Sequence, residues 1–397
     1  MPFFVVFDTC THPRYYGDVH EVLSLPEGAA IRYEYKRRLL TEAAAREIET
    51  LAQNPSYLSV DALLLYGQKN HFSHGDAEPD SMLRQADSTF VPTRSAHLVA
   101  VDVHKAAETS EDVFYMHFQL RGFVQPAGPA ISDLVAALEA DNALPFGDAA
   151  TQYNWISLLP SPLNARTAEL ISDDQTIWTS VVEALVKSPT QFENDVFWRV
   201  QELVEVKNGQ PGEAVSLKDR STNERVHAAR WHRDYSLKEG KRYAVAIQTY
   251  SPDGHGVSVP GGATLAMMSR DDDEALLKLS AEPMNIVPNQ TEYKRFLIST
   301  DSATDTRFTG VDLETQVPGH TSPYPPGSMC SLSFSIHKER WRIGLGALLV
   351  LTGVAIGGYT TGAKPDGWWS AGLAAAAALC LAVGAWLTTR QFRIGKK

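Results

Sequence analysis

The chain has 397 residues, 44% hydrophobic and 21% charged, with a formal net charge of −11, so it is too long for one hydrophobic core and too apolar for wholesale disorder. From His337 onward Lys338, Arg340, Arg342, Lys364, Arg390, Arg393, Lys396 and Lys397 stand against only Glu339 and Asp366, which leaves the preceding body more acidic than the chain as a whole. An acidic body is a poor match for general duplex DNA binding, which rests on neutralising phosphates.

The opening MPFFVVFDTC carries a short apolar run with no basic segment ahead of it, which predicts a first strand rather than a signal peptide. Residues 1–125 read as a β-rich N-terminal domain. FFVVFDTC, HEVLSLP, AAIRYEYKRRLL, VDALLLYG, SAHLVAVDVHK and VFYMHFQLRGFV are rich in β-branched and aromatic residues and are bounded by turn formers. Between the third and fourth, TEAAAREIETLAQ predicts a helix with Thr41 as its N-cap and Asn54-Pro55 as its stop. This pattern predicts a small barrel-like or α+β unit.

Residues 126–190 turn helical, since ISDLVAALEA and TIWTSVVEALV repeat their apolar positions three and four apart, and read as a helical connector. Residues 191–336 return to short strands: FWRVQELVEV, AVSLKDR, ERVHAARWHRDY, RYAVAIQTY, ATLAMMS, YKRFLIST and MCSLSFSIH. Turn signals at Asn208-Gly209 and Pro252-Asp253-Gly254 make this a β-sandwich-like domain.

Residues 337–397 predict a transmembrane hairpin. Ile343 to Ala363 and Trp368 to Thr389 hold no charge, and each reaches the roughly 20 residues that a helix needs to cross a bilayer. Pro365, Asp366 and Gly367 turn the chain, and Trp368 and Trp369 suit the lipid interface. Basic flanks on both outer ends predict that both termini and the body lie in the cytosol, at the inner (cytoplasmic) membrane. Gly353 with Gly357, and Gly372 with Ala376, are small-residue pairs that let helices approach closely, within one hairpin or between subunits of a homo-oligomer.

Nucleotide loops of the G-x-x-x-x-G-K or G-x-G-x-x-G kind, the G-x-S-x-G elbow, H-E-x-x-H and paired C-x-x-C are all missing from the sequence. No enzymatic activity, cofactor or metal is therefore expected. Cys10, Cys330 and Cys380 lie far apart in sequence, which fits a reducing compartment. His232-Arg233-Asp234 imitates a kinase catalytic triplet without its companion motifs. His71, His74 and Asp76 read as a solvated loop, and Asp271–Glu274 as the first turn of a helix capped by Ser269. The residues most suited to an anionic ligand are on IRYEYKRRLL: as a strand it places Arg32, Lys36 and Arg38 on one face, near aromatic residues that could stack a base. Arg230 and Arg233 offer a second basic stretch.

A cytosolic sensor joined to a few short membrane helices resembles, in layout, the transmembrane effectors of bacterial anti-phage defence. That resemblance implies a ligand-controlled effector: a nucleotide, an oligonucleotide or a cytosolic protein partner binds the β domains and regulates an oligomeric helix bundle in the lipid. The alternative expectation is a membrane-anchored scaffold without conductance.

Overall fold

The computed structural model describes residues 3–8, 16–53, 60–69, 88–105, 111–128, 131–134, 136, 154–158, 171–172, 175–187, 195–219, 233–250, 262–270, 277–279, 283–286, 292–300, 307–319, 327–337, 340–363 and 367–389. The mainly β body with a C-terminal helical hairpin is the layout that the sequence predicts.

The first sheet is built from β1 (Phe3–Asp8), β2 (Ala30–Lys36), β3 (Val60–Lys69), β4 (Ser88–Lys105), β5 (Asp112–Val124), β6 (Asn154–Leu158) and β7 (Ile171–Ser172). Three helices pack on it: α1 (Tyr16–Ser24), α2 (Glu42–Gln53) and α3 (Gln175–Lys187). Its strand order is β2-β5-β4-β3-β1-β6, with β1 and β3 parallel and β7 beside β5. The described path ends at β2 and β6, so the unit takes the open α+β form. The presumed connector supplies β6, β7 and α3 to this same unit, because Trp178, Val181, Val182 and Leu185 on one side of α3 are buried with Tyr66, Val91 and Phe123.

Local chemistry explains most of these elements. Thr41 caps α2, its Oγ1 accepting from the Ala44 amide at 3.3 Å. Ala44, Ala45 and Ile48 on that helix are buried in the same core as Ile31, Tyr33 and Tyr35 of β2. HEVLSLP, expected as a strand, is instead the second half of α1. Val19, Val22 and Leu23 fall at helical spacing and are buried, and Pro26 follows the helix end. The strand expected through Arg38 stops at Lys36, because Arg37–Leu39 form a 3-10 turn. Arg38 therefore leaves the strand face, and Arg32 and Lys36 share it with Glu34.

The second unit comprises β8 (Phe197–Lys207), β9 (Gln210–Ala214), β10 (Leu217–Asp219), β11 (Arg233–Lys238), β12 (Arg242–Tyr250), β13 (Ala263–Ser269), β14 (Leu277–Leu279), β15 (Met284–Ile286), β16 (Glu292–Thr300), β17 (Arg307–Gln316) and β18 (Met329–His337). One sheet runs β10-β11-β18-β17-β13-β15 and the other β14-β16-β12-β8-β9. Leu203, Val245, Ile247, Leu265, Val311, Leu332 and Phe334 from both sheets are fully or nearly fully buried in one core. β17 was not expected from sequence because its buried face, Thr309, Val311, Leu313 and Thr315, holds only two aliphatic residues. Leu277–Leu279, expected to continue a helix, pairs with β16 as a strand; the acidic run before it, like His71, His74, Asp76 and His232, lies outside the described residues.

β8 and β18 approach each other through a bridge between Val196 and Gly327. A Cβ on Gly327 would collide with the Val196 carbonyl, so only glycine permits this contact. From β18 the chain passes within three residues to α4 (Arg340–Ala363), which turns at Gly367, φ 69°, into α5 (Trp368–Thr389). Gly344–Gly362 and Trp368–Trp386 are each 19 residues long, apolar and mostly exposed, which suits lipid rather than a protein core.

Candidate functional site: the cleft between the two β units

The units meet along α1. His20, fully buried, donates from Nε2 to Asp195 Oδ2 at 2.6 Å, and its Nδ1 lies 3.5 Å from Ser328 Oγ. Ser328 Oγ also accepts the Trp198 amide at 3.2 Å, and Trp198 Nε1 donates to Thr315 Oγ1 at 2.9 Å. Serine, histidine and aspartate thus meet, but all three are buried. What this group can do is clamp residues 175 and 308 positions apart in the chain.

On the same helix Asp18 and Glu21 flank His20 in sequence, and Glu21 lies within electrostatic reach of Arg270 and Asp312 of the sandwich. Asp312 accepts at Oδ1 from Arg270 Nε and Nη2, at 3.2 and 3.1 Å, and from Ser331 Oγ at 2.6 Å. Burial pushes the Glu21 carboxyl up to about 7, with Asp18 and Asp312 adding to the rise and Arg270 opposing it. Burial likewise raises Asp18 to about 6. The Cys330 thiol is held well above its usual range by burial, then by Glu21 and Asp312.

Beside this junction lies a cleft of about 560 Å3, within the range of small-molecule sites and at the domain boundary where such sites are common. The first unit lines it with Leu25–Gly28, Arg94 and Phe123; the second with Arg199–Leu203, Ala214–Leu217, Arg233 and Tyr235. Three guanidinium groups and the carboxylates of Glu27 and Glu202 thus line a cleft in an acidic body. Arg94, buried, donates to the carbonyls of Val22 at 2.9 Å and Leu25 at 2.5 Å, and stacks 4.4 Å from the Phe123 ring centre. Arg199 stacks on the same ring at 5.1 Å and on Trp178 at 5.2 Å, with its Nε on Gln248 Oε1 at 2.8 Å. Arg233 reaches from β11 across the boundary: Nη1 donates to Gly28 O at 2.7 Å, Nη2 to Leu217 O at 3.1 Å, and Nε lies 3.0 Å from Asp219 Oδ1. Carbonyl-held, ring-stacked guanidiniums form a rigid cationic wall that suits a phosphate or carboxylate.

Of the basic residues singled out from sequence, Arg233 lines this cleft; Arg230 lies outside the described residues. Arg32 and Lys36 sit elsewhere, on the outer face of β2, with the Arg32 guanidinium 5.6 Å from the Tyr115 ring centre. Arg38 is engaged with Glu111, Nη1 to Oε2 at 3.2 Å. The sequence reading missed Arg94, Arg199 and Phe123. The available signal was a lone arginine inside apolar strand runs, FVPTRSAHL and FWRVQEL, which a sheet interior accommodates only with dedicated acceptors.

In the hairpin the predicted pairs separate. Gly353 is buried between the helices, where a Cβ would lie 2.8 Å from Leu381 Cγ and 3.0 Å from the Ala377 carbonyl. Gly384, not singled out from sequence, does the same against Gly346 O and Val350 Cγ2, both at 2.8 Å. Gly357 and Gly372 have open space beyond them, and Ala376 is exposed. Comparison with known proteins adds no identity, since the chain matches no protein-family model and no curated protein.

Proposed function

We propose that this chain is a membrane effector whose body senses an anionic ligand, of nucleotide or oligonucleotide type, in the cleft and passes the signal to an oligomeric bundle of C-terminal hairpins. The observation that carries this reading is the path from cleft to membrane. Arg233 and Tyr235 line the cleft from β11, and β11 pairs in parallel with β18 through Tyr235–Phe334, Ser236–Ser335, Leu237–Ile336 and Lys238–His337. His337 ends β18, and α4 begins at Arg340. A ligand that draws Arg233 off Gly28 therefore acts on the strand beside the one that becomes the membrane helix. The basic flanks of the hairpin orient the body to the cytosol at the inner membrane. By layout the anti-phage effectors are the nearest analogy.

A second reading, a scaffold anchored by the hairpin, draws support from the hairpin itself: Gly353 and Gly384 consume their close approach inside one copy. The two separate in cells. Full-length chain and a version lacking residues 337–397 are expressed in bacteria while membrane potential is followed. Depolarisation by the full-length chain alone, abolished by Arg233→Ala, supports the effector. Full-length chain that never depolarises, with or without nucleotide-generating stimuli, refutes it in favour of the scaffold.

A further inference from the structure

Among the described residues strand β2 ends the first sheet, and of the devices that usually protect an edge it carries only charge, at Arg32, Glu34 and Lys36. Such strands are blunted by proline, bulges, shortness, charged side chains or a covering segment. Among the described residues β10, β14 and β15 are three residues long, and β9 carries Pro211 and an irregular register against β8. β2 runs seven residues without glycine or proline, and its register with β5 is unbroken from Ala30–Gln119 to Lys36–Val113.

Its outward groups follow from the ladder. The Leu120 amide donates to Ala29 O at 2.8 Å, so Ala29 turns toward β5 and, by antiparallel alternation, so do Ile31, Tyr33 and Tyr35. Ala30, Arg32, Glu34 and Lys36 then present their N–H and C=O groups to the edge that no described strand covers, with the exposed side chains of Arg32 and Glu34 on one face.

We infer that this edge pairs with the same edge of a second copy, antiparallel and centred on Tyr33. Hydrogen-bond parity admits only registers in which outward residues meet outward residues. The register one step lower sets Arg32 against its own copy, and the one step higher sets Glu34 against Glu34 and Arg32 against Lys36. A parallel, in-register pairing stacks like on like throughout. Only the Tyr33-centred register opposes Arg32 to Glu34 twice, places Ala30 opposite Lys36, and pairs every outward backbone group. Charge complementarity and parity thus select one occupant and one register, an isologous contact that fuses two sheets into one. The inference goes beyond the effector reading and does not depend on the cleft or on conductance.

The test is a register-specific disulfide in the full-length chain in membranes. Opposed residues of such a pair lie about 5.5 Å apart at Cα, within disulfide reach. Differently tagged copies bearing Ala30→Cys and Lys36→Cys are co-expressed and oxidised. The mixed pair crosslinks, whereas Ala30→Cys copies alone, whose cysteines lie at opposite ends of the contact, do not exceed the wild-type background. Adding Arg32→Glu to both copies lowers the yield roughly fivefold by opposing like charges, and adding Glu34→Arg as well restores it. Equal crosslinking by Ala30→Cys alone, no mixed crosslink, or a yield indifferent to Arg32→Glu overturns the inference.

Discussion

The carboxyl of Glu21, raised to about 7 at the junction of α1 and the sandwich, makes stability fall as pH rises. In the unfolded chain this group titrates near 4.5, so between about pH 4.5 and 7 the folded state keeps a proton that the unfolded state has released. Stability from this proton is complete below 4.5 and is lost as pH climbs through 7, the reverse of a salt-bridged carboxylate. At 1.36 kcal/mol per pKa unit the loss approaches about 3 kcal/mol. Asp18, raised to about 6 by burial, adds a slope at lower pH, while Arg270 beside Asp312 limits the rise at Glu21. Glu21→Gln keeps the shape and removes the titration. The full-length chain in detergent is melted at a series of pH values, followed by fluorescence of the buried Trp178 and Trp198. The variant melts with the wild type at pH 4.5 and about 5 °C higher at pH 8. Parallel curves for the two proteins between pH 6 and 8 would refute the reasoning.

The hairpin glycines are expected to differ: Gly353→Leu forces α4 and α5 apart, read as a longer spin-label distance between them, whereas Gly357→Leu leaves that distance unchanged because open space lies beyond it. Gly327→Ala, driven into the Val196 carbonyl, destabilises the junction by about 1–3 kcal/mol in denaturant titrations. Trp198→Phe loses the bond to Thr315, and a double-mutant cycle with Thr315→Val gives a coupling of about 1 kcal/mol.

What the sequence made legible was periodicity. β12, β13 and β18 match their expected segments residue for residue, since alternating aliphatic runs between turn signals leave little freedom. The spans and the α2 cap were equally readable, because each needs only a local rule. α1 was not: its nine residues are too short for periodicity to outweigh Val19 and Val22, and its helical state is set by burial against two units. Nor was the cleft, whose walls join residues as distant in sequence as Gly28 and Arg233, 205 positions apart. Basic clustering drew attention to Arg32, Lys36 and Arg38, but a cluster in sequence shows only that charge is present. Whether it lines a cavity or an edge is decided by strand order.

The brevity of the passage from His337 to Arg340 has a consequence for encounter. Three steps of chain span at most about 11 Å, so in the proposed topology the end of β18 in every copy stays close to the bilayer surface. Collisions between copies are then confined to a plane, with two translations and one rotation left to search. Under such confinement the local concentration reaches the millimolar range, and a seven-residue strand contact too feeble to hold two free proteins together becomes a populated state that small changes in expression can tip.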